Sequence, residues 1–366
     1  MKSLSQSKLA ICSAMLSMCL SAACGSSADD GLNGATEDAV SAVGNKLGAW
    51  LFIIDETGMS WEGLADELKS QGVGRIFIKV ADGSRTCGEP GGGLFPETCN
   101  TTVPEIFKSR GIEPWAWTYN YPSDYDRQAD ALYYAAQHGY VGFVLDIEVE
   151  FDGTSTELHN LMSAFDRAKA DAMRDGHAND TFLVGATTWG NPKDHSMRVD
   201  IIDQYVDFHM PQTYLEVWGQ TYMNDPAGTI ELGNCEYREL GANKPIWHIV
   251  SAEHGVITGA TLDEFFRWAG PNASLWRIPG GAVSQSIWND WDRVDWNRSS
   301  FAETACSAGN YDIPNQEPPR ADRAYCPPGT EFDSSLGFCS DGIDVWGPFP
   351  QAMTQACVDA NAGEAC

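Results

Sequence analysis

The sequence predicts an α/β protein in which a (β/α)8 TIM barrel precedes a small disulfide-rich C-terminal module, and three observations lead to this fold. Short runs of apolar, β-branched and aromatic residues recur eight times between residues 48 and 306. Helical patterns separate these runs, and eight such units over about 250 residues have the size of a (β/α)8 barrel. No glycine-rich phosphate loop follows the first run, which argues against a doubly wound open sheet.

The predicted strands are short, rich in β-branched and aromatic residues, and bounded by turn-forming residues. They cover residues 49–54, 75–80, 113–118, 142–149, 182–187, 206–212, 245–250 and 282–287. Apolar residues at helical spacing are clearest at 61–70, 103–110, 127–138, 157–174 and 262–269. Because strands and helices alternate along the chain, a parallel sheet is expected.

Segments with little to bury flank the predicted barrel. Residues 25–47 are rich in Gly, Ala and Ser, which is typical of a flexible tether. Residues 307–325 are rich in Asn, Pro, Asp and Arg, which is typical of a linker. Residues 326–366 form the predicted Cys-rich module, which is too small to bury an adequate core without covalent support.

The first 24 residues have the order of an export signal. Lys2 and Lys8 give a positive start, a short apolar run covers 9–20, and small residues precede Cys24. Cys24 followed by Gly25 resembles the lipidated cysteine of bacterial lipoproteins, so we expect an extracytoplasmic protein anchored through a lipid on Cys24. Gly25, where some lipoproteins have Asp, favours the outer membrane. The alternative is an ordinary cleaved signal with a chance cysteine.

The cysteine count agrees with export. An even number of cysteines after Cys24 predicts four disulfides in an oxidising compartment. We expect Cys87 to pair with Cys99 across a Gly-rich loop, and the four cysteines of the module to pair among themselves. The eight cysteines are Cys87, Cys99, Cys235, Cys306, Cys326, Cys339, Cys357 and Cys366.

The charge balance excludes one class of partner. The chain has 23 Lys and Arg residues against 51 Asp and Glu residues, a formal net charge of −28. Such a chain repels a polyanion, so no nucleic acid partner is expected. The sequence has no CxxC pair and no His-rich spacing beside its cysteines, so no zinc site is expected. We therefore expect neither a metal nor another cofactor.

Three acidic residues at alternate positions are the most informative feature of the sequence. Asp146, Glu148 and Glu150 interrupt the otherwise apolar run 142–150. Because strand side chains alternate, all three are expected on one side of a strand, at the carboxyl end where barrel active sites lie. Crowded carboxyls raise one another's pKa, which suits acid catalysis on a glycosidic bond. The alternative is a solvated strand end, or a cation site with Lys79 as counter-charge.

The other strand ends carry aromatic and amide side chains, which are suited to stacking on sugar rings and to hydrogen bonding. A single Trp more often lies in a core, but clustering at one end of a barrel predicts a cleft for a neutral or aminated sugar chain. Asp55 follows the first strand as a further acid. The predicted substrate-binding residues are Trp117, Tyr119, Tyr121, Trp189, Gln212, Tyr214, Trp218 and Trp288.

Several short segments resemble glycoside hydrolase family 25, the muramidases that cut peptidoglycan. Residues 53–55, 77–83 and 117–121 are similar to that family's first three strands, and 286–288 with 294–297 to its closing strand and chain end. Residues 145–148, Leu-Asp-Ile-Glu, match its Asp-x-Glu motif. The resemblance implies that Glu148 is the general acid, assisted by Asp55 and Asp146.

A second resemblance is to the family 18 chitinases. The spacing of Asp146, Glu148 and Glu150 is similar to that family's Asp-x-Asp-x-Glu motif, and residues 210–214 resemble its sixth strand. This resemblance implies that Glu150 is the acid and that a substrate acetamido group is the nucleophile. Both resemblances imply an exported glycoside hydrolase that cleaves a polysaccharide, peptidoglycan in the first case. The alternative is a non-catalytic glycan-binding or surface-structural barrel.

We predict that Cys24→Ser releases the protein from the membrane into the soluble fraction, because the change removes the thiol that carries the lipid. Fractionation of expressing cells measures this. The matched control is Cys19→Ser, which should stay membrane-bound: residues 16–19, Leu-Ser-Met-Cys, are the rival lipidation site, where the bulky Met18 precedes the cysteine. Equal membrane association of the Cys24→Ser form and the unchanged chain would contradict lipidation.

Overall fold

A computed structural model describes residues 46–87, 100–302 and 306, together with Gly44, Thr98 and three short strands after residue 330. The predicted signal peptide, with Cys24, lies outside the described residues. So do nearly all of the tether, the linker 307–325, Cys99 and the side chains of the Cys-rich module. None of the described helices is long and apolar enough to cross a membrane.

Within the described residues, nine strands form the main sheet, and eight of them make the closed parallel barrel that the sequence predicts. Their bounds are β1 Gly48–Leu51, β2 Arg75–Asp82, β3 Arg85–Thr86, β4 Glu113–Tyr119, β5 Gly142–Asp146, β6 Leu183–Trp189, β7 Phe208–Gln212, β8 Ile249–Ser251 and β9 Ser274–Trp276. β1 pairs in parallel with both β2 and β9, which closes the barrel. β3 is the exception, since it pairs antiparallel with the end of β2.

Helices follow most of the strands. Their bounds are α1 Ile54–Thr57, α2 Trp61–Gln71, α3 Thr102–Lys108, α4 Tyr125–Gln137, α5 Thr156–Arg174, α6 Val199–Ile202, α7 Leu215–Trp218, α8 Gln220–Met223, α9 Pro226–Glu239, α10 Gly259–Ala269 and α11 Trp288–Trp291. Local signals set their ends: the Ser60 hydroxyl caps α2 by accepting a hydrogen bond from the Gly63 amide, and Gly72 ends it in a left-handed conformation with φ 92°.

The predicted eighth strand was wrong. Residues 282–287 contain the 3-10 turn Gln285–Ile287, and the eighth barrel strand is the three-residue β9. Val283 and Ile287 are buried in the core between barrel and helices. Their apolar character reflects that packing, while the true strand was too short to stand out as a run.

The disulfide-bonded cysteines among the described residues agree with part of the cysteine prediction. Cys235 in α9 is bonded to Cys306, which ties a helix of the barrel to the chain that leaves it. Cys87 is disulfide-bonded, and its predicted partner Cys99 lies outside the described residues. In the tail, β10 Glu331–Asp333, β11 Phe338–Ser340 and β12 Val345–Trp346 form an antiparallel sheet.

Large aromatic rings fill the interior of the barrel. Phe208 stacks on Trp247 with ring centroids 3.8 Å apart, and Trp50 stacks on Phe77 at 4.4 Å. Trp115 meets Phe208 edge to face at 5.5 Å. These rings occupy space beside glycines of neighbouring strands: a Cβ on Gly48 would lie 2.8 Å from the Phe77 ring, and Cβ atoms on Gly142 and Gly185 would overlap Trp115 and Phe208.

A buried arginine closes the amino-terminal end of this interior. The Arg75 guanidinium lies over the rings of Trp115 and Trp247, at 4.8 and 5.3 Å. It donates two hydrogen bonds to Glu113 Oε2, at 3.0 and 3.1 Å, and Lys46 pairs with the other oxygen of the same carboxylate. With rings and guanidinium filling the lower layers, polar side chains can gather at the carboxyl end of the strands.

We predict that Gly185→Ala lowers the free energy of unfolding by about 1–3 kcal/mol, because the added methyl overlaps the Phe208 ring inside a closed barrel. Chemical denaturation measures this. Gly63→Ala is the matched control, because a Cβ there makes ordinary contacts within α2 and should stabilise the helix by about 0.5–1 kcal/mol. Equal stability of the Gly185→Ala variant and the wild type would contradict the packing described.

Candidate active site

The strand that carries the acidic motif ends earlier than predicted. β5 ends at Asp146, and residues Val149–Phe151 turn into a 3-10 helix. The Ile147 amide still donates to the Thr187 carbonyl of β6 (2.9 Å), and the Phe151 amide donates to the Glu148 carbonyl (2.9 Å). The prediction that the three acids share one strand face was therefore wrong. The turn nevertheless keeps all three together at the carboxyl end of the barrel, as expected.

Asp146 and Glu148 form a hydrogen-bonded pair that Gln212 holds. The Gln212 side-chain amide donates to Asp146 Oδ1 (3.1 Å) and to Glu148 Oε1 (2.7 Å). The two carboxyl groups also hydrogen-bond to each other directly. Because Gln212 ends β7, in register with Trp189 of β6 and Ile249 of β8, the barrel itself fixes the position of its side chain.

The environment of this pair favours its protonated form. Burial raises the pKa of Asp146 well above its ordinary value, the negative charge of Glu148 adds to this, and Lys79 opposes it. Burial also raises the pKa of Glu148, against the lowering effect of the hydrogen bond from Gln212. A carboxyl pair whose pKa values are raised in this way keeps a proton to higher pH than ordinary carboxyls do, which suits a general acid.

Glu150 has a different environment. The Tyr119 hydroxyl donates to Glu150 Oε2 (2.8 Å). Burial raises the pKa of Glu150, while a backbone hydrogen bond and the one from Tyr119 lower it. Burial and the nearby carboxylates, Glu148 first among them, raise the pKa of Tyr119, so the phenol stays protonated and continues to donate. Glu150 is thus held as an acceptor, whereas Glu148 shares a proton.

Two more carboxylates at the carboxyl end of the barrel, which we call the opening, accept hydrogen bonds from aromatic side chains. The Tyr121 hydroxyl donates to Asp82 Oδ1 (3.0 Å), and Trp189 Nε1 donates to Asp152 Oδ1 (2.9 Å). Asp152 also contacts His195 Nδ1 (3.0 Å), and the His195 ring stacks on Trp189 with centroids 3.9 Å apart. Predicted aromatic residues therefore orient carboxylates as well as lining the opening.

An ion-pair network lies at the end of β9. Arg277 contacts Glu56 (3.1 Å) and Glu253 (2.8 Å), and its guanidinium lies 4.9 Å from the centroid of the Phe52 ring. Lys79 lies over the same ring at 4.7 Å. The charges around the opening are thus mostly negative, with Lys79 and Arg277 each paired to acidic side chains.

Sequence reasoning missed Asp152, His195 and Arg277 as members of this site. Asp152 could have been found, because it continues the alternate acidic spacing of the motif. Arg277 was missed because the eighth strand was predicted about ten residues too late. No pattern in the sequence marks His195, which a loop brings to Trp189 from six residues further along the chain.

The remaining predicted residues lie apart from the acid pair or beneath it. Trp117 is 1% exposed inside the barrel, where its Nε1 donates to the Leu51 carbonyl (3.1 Å). Trp288 begins α11 rather than ending a strand, and packs edge to face on Trp291. Trp218 packs on Tyr222.

Asp55 and Tyr214 are placed differently from each other. Asp55 is exposed in α1, and among the described residues it makes no hydrogen bond to the acid pair. Tyr214 follows the end of β7, where burial and then the charges of Asp146 and Glu148 raise the pKa of its phenol. Its hydroxyl has no hydrogen-bond partner in the described part of the chain, and it is therefore available to a ligand.

Comparisons with known proteins give fold-level similarity. No protein-family model and no curated protein matches the chain. Similar solved structures include a class V chitinase from Nicotiana tobaccum, at 14% identity and a TM-score of 0.40, covering 57% of this chain and 67% of that one. A family 39 glycoside hydrolase from Bacteroides cellulosilyticus WH2 matches at 12% identity and a TM-score of 0.45, covering 64% of this chain and 56% of that one.

A further similar structure is the xylanase and α-amylase inhibitor protein from Scadoxus multiflorus, at 12% identity and a TM-score of 0.48, with 69% of this chain and 98% of that one covered. At such identities, and with TM-scores below 0.5, these similarities do not assign a reaction to the chain. Any reaction assigned to the chain therefore depends on the geometry of the acid pair.

We predict that Asp146→Asn stabilises the protein as pH rises above the ordinary carboxyl range. A carboxyl whose pKa is raised in the folded state binds its proton more tightly there, so wild-type stability falls between the ordinary and the raised pKa, by about 1.4 kcal/mol per pKa unit. The introduced amide can keep both hydrogen bonds without titrating. Denaturant unfolding between pH 4 and pH 8 measures the difference.

Asp203→Asn is a control of opposite sign. Burial raises the pKa of the Asp203 carboxyl, but hydrogen bonds from His209 and from the amides of Asn243 and Lys244 outweigh it and hold the pKa well below its ordinary value. The control should therefore be destabilised at neutral pH, with a deficit that shrinks as pH falls. A pH-independent effect of Asp146→Asn would show that Asp146 does not share a tightly held proton.

Proposed function

We propose that the protein is an extracytoplasmic glycoside hydrolase that cleaves a polysaccharide containing 2-acetamido sugars, with Glu148 as the general acid. The observation that carries this proposal is the hydrogen-bonded pair of Asp146 and Glu148, held by Gln212 at the carboxyl end of the barrel. The export signal expected from the sequence supports an extracytoplasmic location, where polysaccharides occur as substrates.

The choice of Glu148 over Glu150 follows from their partners. Glu148 is hydrogen-bonded to a carboxyl that can pass it a proton, so Glu148 can become the protonated acid that gives this proton to a leaving oxygen. Glu150 instead accepts from Tyr119 and has no second carboxyl hydrogen-bonded to it among the described residues. We therefore assign proton donation to Glu148.

The short distance between the Asp146 and Glu148 carboxyls limits which group can act as the nucleophile. When one carboxyl acts as acid and a second as nucleophile or base, the two lie about 5–9.5 Å apart, with the reacting carbon or a water between them. Asp146 and Glu148 are hydrogen-bonded to each other, which leaves no such space. Asp146 is therefore a partner of the acid rather than its counterpart across the substrate.

With Asp146 bound to the acid itself, a substrate acetamido group can supply the nucleophile, as it does in some glycoside hydrolases. Its oxygen attacks the anomeric carbon while Glu148 protonates the leaving oxygen, and water later opens the resulting ring. The Tyr214 hydroxyl, protonated and unpartnered beside the acid pair, is available to donate to that group. The substrate class follows from this step, because only 2-acetamido sugars carry the group.

The charge at the opening favours neutral or aminated glycans. Glu150, Asp82 and Asp152 line one side and each accepts a hydrogen bond from an aromatic side chain, while both cations of the opening are paired. An anionic polymer would be repelled there and by the chain as a whole. Peptidoglycan, whose strands carry acidic groups, is accordingly the weaker candidate, and a neutral acetamido glycan the stronger.

We predict that Glu148→Gln lowers kcat about 10²–10⁴-fold while glycan binding survives, because a general acid is lost and the aromatic side chains are kept. Glu150→Gln is the matched control and should cost less. Hydrolysis of chitin oligosaccharides, peptidoglycan and β-glucans by the purified mature protein measures turnover, and pull-down measures binding.

Full activity of both variants would exclude the acid site proposed. Binding of a glycan without any hydrolysis by the wild type would instead favour the non-catalytic glycan-binding barrel.

A further inference from the structure

Thr187 of β6 lies beside the acid pair. It is the register partner of Asp146 across the β5–β6 ladder. Leu183 of the same strand packs in the ring-filled interior, while Val184 and Ala186 pack in the outer core. Because strand side chains alternate, Thr187 shares the interior side with Leu183 and faces the same space as Asp146, whereas Thr188 faces the helices.

The Thr187 hydroxyl is a buried hydrogen-bond donor that is not paired within the described residues. The residue is 2% exposed, and its Oγ1 has no hydrogen-bond partner among the described residues. A buried polar atom without a partner destabilises a fold, and such atoms are rare enough to require an explanation. Thr188 is buried in the same way, also without a partner, but on the other side of the strand.

Asp146 needs such a donor in one of its two states. The direct hydrogen bond between the two carboxyls acts to raise the pKa of Asp146 and to lower that of Glu148, which favours the shared proton on Asp146. Gln212 donates to Asp146 Oδ1. For Glu148 to act as an acid, the proton must pass from the Asp146 carboxyl to the Glu148 carboxylate, so that Asp146 becomes the anion. When Glu148 directs that proton to the leaving oxygen, the buried Asp146 carboxylate keeps only the neutral amide donor of Gln212, and a hydroxyl that turns toward it supplies a second donor.

We propose that Thr187 is a positioning residue of the acid site, whose hydroxyl donates to the Asp146 carboxylate when the shared proton moves to Glu148. Within the proposed glycosidase, on which this assignment rests, Thr187 increases the fraction of molecules in which Glu148 carries the proton. The proton then goes to the leaving oxygen as its bond to the sugar breaks, and the water that completes hydrolysis returns a proton to Glu148.

Substitution of Thr187 leaves the other titratable and charged groups around Asp146 unchanged. Lys79 is the nearby cation, the phenols remain protonated, and the other charges are acidic. The titratable groups that face Asp146 are Lys79 on β2, Tyr119 on β4, Glu148 and Glu150 after β5, and Tyr214 after β7. A change in the titration of the pair caused by Thr187 alone can therefore be assigned to its hydroxyl.

The experiment compares Thr187→Val, which removes the hydroxyl at nearly constant shape, with Thr187→Ser, which retains it. Thr188→Val is the matched control, since it removes an equally buried hydroxyl on the opposite side of the strand. The kcat and KM values for N-acetylglucosamine oligosaccharides are measured across pH. Both valine variants remove an unpartnered buried hydroxyl, so neither is expected to unfold the chain.

We expect Thr187→Val to lower kcat about tenfold with KM changed less than twofold, and Thr187→Ser to restore most of the rate. The basic limb of the kcat profile should move to higher pH, because the last proton of the pair leaves less easily when its anion has lost a donor. A general loss of stability would lower kcat without moving the basic limb of its pH profile to higher pH. Equal profiles for Thr187→Val and Thr188→Val would overturn the assignment.

A second readout separates this inference from the proposed function. If the wild type hydrolyses no glycan, the pH dependence of unfolding still reports the titration of the pair. A profile for Thr187→Val that differs from that of Thr188→Val between pH 4 and pH 8 then supports the contact with Asp146. Identical profiles overturn it, whatever the protein's activity.

Discussion

The aromatic rings that fill the interior of the barrel are the constraint on which the rest of the structure depends. A closed barrel of eight strands must fill its interior with its own side chains. Here Trp115, Phe208 and Trp247 occupy the lower layers, where Gly142 and Gly185 leave room for them. These rings leave the layer at the carboxyl ends of the strands to a cluster of polar side chains, which is where the acid pair lies.

The same packing accounts for the behaviour of that pair. Asp146 lies on top of apolar layers, so water reaches it poorly and burial is the largest cause of its raised pKa. Gln212 does not reverse this, because one neutral amide shared between two carboxyls cannot replace the solvation of two charges. Retention of a proton is therefore a consequence of barrel geometry, and the neighbouring charges only adjust it.

The sequence predicted the barrel and the acidic motif because both have local signals. Seven of the eight predicted strands overlap observed ones, since apolar runs between turn residues are strong patterns. The eighth strand failed because three residues give no run. The alternate spacing identified Asp146, Glu148 and Glu150, but not the turn at Ile147 or the contact with Gln212, which depend on strands distant in the sequence. Trp117 and Trp288 were assigned by position at strand ends, and burial cannot be read from that.

The aromatic side chains at the opening combine two roles that the sequence suggested as one. Tyr119, Tyr121 and Trp189 each donate their polar hydrogen to a carboxylate, which fixes the orientation of both partners. A ring held in this way presents its face or edge to a ligand, not its polar atom. His195 covers one face of Trp189, so a sugar can stack only on the other. The hydrogen bonds that orient the acids therefore also shape the cleft, and the site is organised before a substrate arrives.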